Sequence, residues 1–239
     1  MRPRLGKLWL AAGVLALLGG NALAHDRLSP LHFQSQGLLG STDKAAAQRG
    51  FLVYETVCAS CHTASALHYR DLEALGFTPE QVAGIAASVK LANGAPATLN
   101  DAFKAPKIAA SDFAGAVPPD LSDIAAQRPH GARYIDHLLT GYVPAPAGVT
   151  LLPSYYYNTA YPGGQLAMPP PLKGNDVTYA DGKPATVAQE AADVSEFLAW
   201  SADPNLDTRH EVGLRALLFL VFLSIIALVS KRRIWRERA

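Results

Sequence analysis

The stretch Cys58-Ala59-Ser60-Cys61-His62 contains the only two cysteines in a chain of 239 residues. This C-x-x-C-H pattern is the attachment sequence of a c-type haem. The two thiols add to the haem vinyl groups, and their three-residue spacing on a helix would place them on one side. His62 follows directly, so its imidazole is expected to ligate the iron. The pattern therefore predicts one covalently bound haem c.

Other kinds of site use a similar pair of cysteines. A structural disulfide or a thioredoxin-like redox pair needs only C-x-x-C, but neither explains the adjacent His62, and no βαβ pattern surrounds the motif. A zinc site needs four ligands, and the chain has no second cysteine pair. Haem c accounts for all three side chains of the motif.

The second iron ligand is predicted by counting methionines. The chain has two, and Met1 belongs to a predicted leader, so Met168 is the only methionine expected in the mature protein. Met168 lies in the Gly- and Pro-rich stretch 163–171, a rigid loop of the kind that presents a thioether to iron. A methionine that fills a packing gap is the alternative. Six histidines also remain as candidates: His25, His32, His68, His130, His137 and His210.

The two ends of the chain predict export and a membrane anchor. Residues 1–24 combine a basic start, an apolar run and Ala22-Leu23-Ala24, so they are expected to be a cleaved signal peptide. The predicted anchor, residues 209–231, contains an apolar helix roughly 28 Å long, close to the hydrocarbon thickness of a bilayer. Basic residues end the anchor and fill the tail, 232–239, which predicts a cytoplasmic location for that tail. Residues 25–208 would then form a haem domain on the periplasmic side of a bacterial-type inner membrane.

The net charge of +1 conceals an acidic exported region. Residues 25–210 contain 12 Lys and Arg against 18 Asp and Glu, and the other nine basic residues lie in the leader, the span and the tail. An acidic surface attracts a cationic partner or simply aids solubility. The predicted contacts are therefore with protein and membrane lipid, and not with nucleic acid.

The pattern of apolar residues predicts short helices separated by long Pro- and Gly-rich loops, with no strong strand signal. A buried macrocycle would give such loops an apolar plate to pack against. The predicted fold is mainly α: a cytochrome c-type haem domain plus one C-terminal transmembrane helix. The expected helices are about 45–61, 69–75, 78–89, 120–126, 132–139 and 187–202, with loops at 91–119 and 142–186.

Beyond the haem motif, a series of segments resembles the cytochrome c1 family in order along the chain. The resemblance covers almost the whole predicted mature protein, and this ordered set is far more specific than C-x-x-C-H alone. The matching segments are 49–62, Tyr69-Arg70-Asp71-Leu72, Pro118-Pro119-Asp120-Leu121-Ser122, 134–142, 161–168, Phe197-Leu198-Ala199-Trp200 and Lys231-Arg232-Arg233-Ile234-Trp235.

The resemblance implies the same four haem contacts and adds two residues. Arg128 matches an arginine that pairs with a haem propionate, and Tyr134 matches a tyrosine beside the haem. The family is the haem c subunit of ubiquinol–cytochrome c reductase, which packs beside cytochrome b. It takes an electron from the Rieske iron–sulfur protein and passes it to a soluble or anchored cytochrome c. No catalytic acid or base of its own is expected.

Two positions depart from the family pattern. Met168 runs directly into Pro169-Pro170-Pro171, where the family usually has an intervening Ala, and Asn158 is followed by Thr159 where the family usually has Pro. These changes would alter the loop geometry without removing the ligand. Two other functions stay open: a membrane-tethered cytochrome c serving an oxidase or dehydrogenase, and a haem enzyme such as a peroxidase. The first requires a long linker before the anchor, and the second an open iron site.

Overall fold

The computed structural model describes residues 32–37, 40–91, 93–104 and 115–236, all within one compact unit, residues 32–239. The predicted signal peptide, residues 1–24, lies outside the described residues, as does His25. The fold is mainly helical, which confirms the predicted class. The described α-helices are α1 (Lys44–Thr56), α2 (Pro79–Ser88), α3 (Ile124–Gln127), α4 (Ala132–Thr140), α5 (Val187–Ala202) and α6 (Leu206–Arg236).

Helices α1 and α5 cross in the core. Each begins at a side-chain cap: Asp43 accepts a hydrogen bond from Ala46 N–H at 3.0 Å, and Thr186 caps α5 in the same way. Gly50 lets the two backbones meet, because a Cβ at this position would lie 1.9 Å from the carbonyl oxygen of Asp193. Buried aromatic rings surround the crossing: Phe51, Tyr54, Phe103, Phe197 and Trp200.

The predictions for these two helices have different outcomes. Helix α5 has the predicted bounds and ends before Asp203-Pro204. The prediction for α1 is wrong at its C-terminal end, since the helix stops at Thr56 and a 3-10 turn, Cys58–Ser60, follows. That turn lets His62 reach Pro119, a contact 57 residues away in the chain that no local pattern contains.

The shorter helices follow their capping signals more closely than their apolar patterns. Thr78 and Gln81 form a reciprocal capping box at the start of α2. Tyr69–Leu75 is helical as predicted, in the 3-10 form. Helix α4 also lies where a helix is expected. The helix predicted at 120–126 begins only at Ile124, because the Asp120 carboxylate is bound to residues of a distant segment and does not cap a local helix.

Two small antiparallel pairs of strands were not expected from the sequence. Strand β1 (Ala64–His68) pairs with β2 (Ala102–Phe103), and β3 (Tyr156–Tyr157) pairs with β4 (Gln165–Leu166). Strands of two residues leave no alternating pattern long enough to read. The β3–β4 hairpin lies inside the predicted loop 142–186 and directly precedes Met168.

Helix α6 is 31 residues long, and among the described residues it is the one helix long and apolar enough to cross a membrane. Its large apolar side chains, such as Phe219 and Phe222, are exposed in this chain on its own. Its charged residues gather at the two ends, where Arg215 pairs with Glu211 and Lys231 stacks over the Trp235 ring. The predicted C-terminal membrane helix is therefore confirmed.

Candidate haem site

Cys58 begins the 3-10 turn that follows α1, and Cys61 caps the end of that turn. Cys61 N–H donates to the Cys58 carbonyl at 3.0 Å, and His62 N–H donates to the same oxygen at 2.8 Å. Side chains three residues apart are eclipsed in a 3-10 helix, so this turn holds both thiols on one side. The same-side arrangement expected from α-helical spacing thus arises from a tighter turn.

Both thiols are free and half-buried, and they form no disulfide with each other. Burial, and to a smaller extent the neighbouring Cys61, raises the pKa of the Cys58 thiol to about 12. Cys58 therefore stays protonated at neutral pH. A thioredoxin-like pair needs a lowered thiol pKa, so this environment disfavours the redox-dithiol alternative.

His62 has the orientation of a metal ligand. Its Nδ1 lies 2.8 Å from the carbonyl oxygen of Pro119. A carbonyl can only accept, so Nδ1 carries the proton and Nε2 keeps a lone pair for a metal. Burial lowers the pKa of His62, against the opposing effects of the Pro119 carbonyl and the Asp120 carboxylate. The neutral, ligating form of the imidazole is favoured.

The loop that contacts His62 belongs to a segment that resembles the family, but the sequence predicted no role for Pro119 or Asp120. Pro119 supplies the carbonyl, and the Asp120 carboxylate binds the segment just after the haem motif through the Thr63 hydroxyl at 2.8 Å. The available signal was Asp120 followed two residues later by Ser122, whose N–H donates to that carboxylate at 2.8 Å. The sequence prediction for this stretch is instead a helix over 120–126, which begins only at Ile124 in the structure.

Met168 follows strand β4 and is half-buried. The Tyr142 hydroxyl donates to its backbone carbonyl at 3.1 Å, and burial raises the pKa of Tyr142. Gly164 makes the preceding turn possible, with φ at +73° and a Tyr157 ring carbon 2.7 Å from where a Cβ would stand. The loop that carries Met168 is thus held by the Tyr142 hydroxyl and by the tight turn at Gly164.

Asn158 closes the turn at one departure from the family pattern. Its side chain is fully buried, and Nδ2 donates to the Leu138 carbonyl at 2.7 Å. Its Oδ1 accepts from Ala160 N–H at 3.0 Å and Tyr161 N–H at 3.2 Å. The amide therefore connects the end of α4 to the hairpin loop without the proline that usually follows.

Arg128 and Tyr134 are near enough to interact electrostatically. Arg128 is exposed just after α3, and Tyr134 is half-buried in α4. Burial raises the pKa of the Tyr134 hydroxyl, while the positive charge of Arg128 opposes that rise and Tyr161 adds to it. The pair thus combines a solvent-reaching guanidinium with a half-buried phenol.

These residues form groups that fit the predicted cofactor. The motif supplies two unpaired thiols and an imidazole with a free Nε2, and the hairpin loop supplies the thioether of Met168. The hydrogen bonds around His62 lead to the Pro119 loop, and those around Met168 lead to Tyr142. Among the described residues, no three His, Cys, Asp or Glu side chains come together to hold a metal ion, so the cysteine pair completes no zinc site there.

Comparison with known proteins places nearly the whole chain in one family. Residues 33–238 match the model of the cytochrome C1 family. Cytochrome c1 of Rhodospirillum rubrum is 37% identical over 260 residues, which cover 95% of this chain and 96% of that protein. Cytochrome c1 1, heme protein, mitochondrial, of Arabidopsis thaliana is 38% identical over 94% of this chain and 80% of its own length.

A third relative is longer. The protein named cytochrome b/c1 of Bradyrhizobium diazoefficiens is 34% identical over 84% of this chain, and the match takes up 34% of that protein. Matches of this length and identity, over a helical domain with a membrane-spanning C-terminal helix, show that the chain belongs to the cytochrome c1 family.

Proposed function

We propose that this chain carries one covalent haem c and acts as the electron-transfer subunit of a ubiquinol–cytochrome c reductase. The observation that carries the proposal is the orientation of His62, whose Nδ1 is held by the Pro119 carbonyl while two unpaired thiols stand on the preceding turn. Membership of the cytochrome c1 family supports it from the sequence side. Relatives named as heme proteins support a haem cofactor.

Each site residue receives one role in this proposal. Cys58 and Cys61 would hold the haem through thioether bonds, and His62 would supply one iron ligand. Met168 would supply the other iron ligand, and a thioether there would raise the reduction potential compared with a second imidazole. Arg128 pairs with a propionate and Tyr134 lies beside the ring, as the family resemblance implies.

The bound haem would supply one-electron chemistry, with the iron alternating between ferrous and ferric forms. The protein's residues hold the ligands and exclude water. Ligation by both His62 and Met168 leaves no open iron position, which argues against a peroxidase. The chain then has no catalytic site of its own and serves a larger oxidoreductase.

The junction between the haem domain and the membrane helix supports a fixed relay. Only residues 203–205 separate α5 from α6. The first turns of α6 are bonded to the domain: Thr42 N–H donates to Asp207 at 2.9 Å, and His210 Nδ1 lies 2.6 Å from the Gly40 carbonyl. A membrane-tethered carrier needs a long linker for its mobility, and this junction provides none.

The proposed partners follow from the same complex. Cytochrome b is supported by the relative whose name combines both cytochromes. The Rieske iron–sulfur protein would donate the electron, and the acidic domain would attract a basic cytochrome c as acceptor. The signal peptide, residues 1–24, would place domain 25–208 in the periplasm. The anchor, 209–231, would leave the basic tail, 232–239, in the cytoplasm.

Copurification tests membership of the complex. After mild detergent extraction, a tagged full-length chain should bring down cytochrome b, seen as a haem that denaturation releases, together with an iron–sulfur protein. The same chain truncated before α6 serves as the control and should bring down less cytochrome b. Recovery of the intact chain with its own haem but without cytochrome b would favour the tethered carrier.

Replacing Met168 by leucine tests the second ligand. The variant should favour the ferric over the ferrous form about a hundredfold more than the wild type does. At 59 mV per tenfold change, its reduction potential should fall by about 0.12 V, while the haem stays covalently attached. The sulfur-to-iron absorption band of the oxidised protein should also disappear. Leu166→Met is the matched control, because it adds a thioether to the same hairpin and leaves Met168 in place. An unchanged midpoint in the Met168 variant would remove Met168 as the ligand.

A further inference from the structure

We propose that Asp120 is a positioning residue, whose carboxylate fixes the Pro119 carbonyl against Nδ1 of His62 and so sets the electron-donating strength of that ligand. The inference rests on the proposed ligation of haem iron by His62. Asp120 acts through the loop that contains Pro119, and its effect would appear in the reduction potential.

The carboxylate joins the haem motif to the Pro119 loop through three hydrogen bonds. Oδ2 accepts from the Thr63 hydroxyl at 2.8 Å and from Ser65 N–H at 3.0 Å. Oδ1 accepts from Ser122 N–H at 2.8 Å. Thr63 is the residue directly after His62, so the Asp120 side chain joins the ligand's own segment to the loop that supplies its hydrogen-bond acceptor.

The position of the Pro119 carbonyl depends on this contact. Proline has no N–H and cannot be held by a backbone donor of its own. The carbonyl belongs to the peptide group that leads into Asp120, and the next backbone bond runs from Leu121 N–H to the Thr63 carbonyl at 2.7 Å. The Asp120 side chain and this backbone bond both act on the C-terminal side of the Pro119–Asp120 peptide group, and together they hold it in position.

A carboxylate is required because all three partners are donors. An ionised aspartate only accepts hydrogen bonds, at both of its oxygens. An asparagine would place an NH2 group on one side, facing either the Ser122 N–H or the two donors of Thr63 and Ser65. One connection would therefore be lost in Asp120→Asn. The loop would loosen while the size of the side chain stays the same.

The consequence for the iron follows from the hydrogen bond to His62. A well-placed carbonyl at Nδ1–H raises the basicity of the imidazole, and a more basic ligand favours ferric iron. The negative charge of Asp120 acts in the same direction. Weakening the bond and removing the charge should both favour the ferrous form, so the reduction potential should rise.

The first test compares Asp120→Asn with Asp123→Asn in the full-length, haem-loaded chain. Both variants remove one negative charge from the same loop, but the Asp123 carboxylate is exposed and accepts only from Gln127 at 2.8 Å among the bonds of the described residues. Asp120→Asn should favour the ferrous form about tenfold, a rise of about 59 mV for one electron. Asp123→Asn should change the balance between ferrous and ferric iron less than twofold. Equal shifts in the two variants would overturn the positioning role.

A second comparison removes a hydrogen bond without changing charge. Thr63→Val loses the hydroxyl that donates to Asp120, and Thr63→Ser restores it. We expect the valine variant to favour the ferrous form about threefold more than the wild type does. The serine variant should leave the balance between ferrous and ferric iron unchanged. These two variants also decide the question if Asp120→Asn fails to take up haem. No difference between them would count against the proposal.

The hydrogen bond itself can be followed in the ferrous protein labelled with ¹⁵N-histidine. The His62 Nδ1 proton should exchange with water faster in Asp120→Asn and Thr63→Val than in Asp123→Asn or the wild type. Unchanged exchange in all variants would overturn the inference even if potentials moved. A wild-type chain without covalent haem would instead contradict the proposed function.

Discussion

A chain in which Cys58 and Cys61 are both replaced by alanine is expected to lose all covalently attached haem. The chain has no other cysteine, so no thioether bond to a vinyl group remains possible. Haem-dependent staining of a denaturing gel should be strong for the wild type and absent for the double variant. The cells used must contain the machinery for c-type haem attachment.

Single variants and a neighbouring substitution make this test specific. Cys58→Ala or Cys61→Ala should keep one thioether bond and still stain, but the reduced haem extracted into alkaline pyridine should absorb at longer wavelength because one vinyl group stays conjugated. Ser60→Ala lies between the two cysteines and leaves both thiols in place, removing a hydroxyl that donates to the Val57 carbonyl at 2.8 Å and lies 3.5 Å from Cys61 Sγ. It should match the wild type. Staining of the double variant would rule out attachment through this motif.

Elements with strong local signals were predicted well from the sequence. Thr186 at the start of α5 and Pro204 after its end determine a helix whose bounds, Val187–Ala202, match the prediction. Thr78, Pro79 and Gln81 do the same for the start of α2. Caps and prolines act within a few residues, so their effect can be read without knowing the fold.

Elements determined by distant contacts were predicted poorly. A helix was predicted from Asp120, but the Asp120 carboxylate binds Thr63 and Ser65, and the helix begins only at Ile124. Helix α1 likewise ends at Thr56, five residues before the predicted end at Cys61, so that His62 can reach Pro119. Partners more than 50 residues away leave no local pattern.

The candidate site divides in the same way. The C-x-x-C-H motif predicts two thiols and an imidazole from their types alone, but the tautomer of His62 depends on the Pro119 carbonyl and required the structure. The role of Asn158 in closing the turn before Met168 was likewise invisible, since it depends on the Leu138 carbonyl of α4. Arg128 and Tyr134 were indicated only by family resemblance, and their proximity comes from the structure.

Gly50→Ala is expected to cause the largest loss of stability by a single methyl group. Alanine normally favours a helix over glycine by about 1 kcal/mol, but here the new Cβ would lie 1.9 Å from the Asp193 carbonyl oxygen and 2.8 Å from the Phe197 Cβ. Backbone atoms cannot swing aside as a side chain can. Overpacking of this kind costs about 3 kcal/mol or more at the upper end of its range. Denaturant unfolding of the haem-loaded protein would measure this change in the free energy of unfolding.

The neighbourhood of Gly50 makes separation of the helices more costly still. Arg49 Nη2 lies 2.7 Å from Asp193 Oδ1, in a pair whose aspartate side chain is only 1% exposed. Moving α1 away from α5 would stretch this buried ion pair, and a buried charge that loses its partner is strongly destabilising. The Gly50 variant would therefore contain either a steric overlap with the Asp193 carbonyl or a weakened Arg49–Asp193 ion pair, and both are destabilising.

Gly84→Ala in α2 is the matched control. Nothing lies within 4 Å of the added Cβ, so the same substitution should stabilise the protein by about 0.5–1 kcal/mol. If the free energy of unfolding falls for Gly50→Ala and rises for Gly84→Ala, the effect of the helix crossing is separated from that of helix propensity. Stabilisation by both substitutions would contradict the close approach of α1 and α5.

Because α1 ends next to Cys58, its displacement should also move the haem motif away from the Met168 loop. The Gly50 variant should therefore lose its sulfur-to-iron absorption band at low denaturant while its haem stays covalently attached.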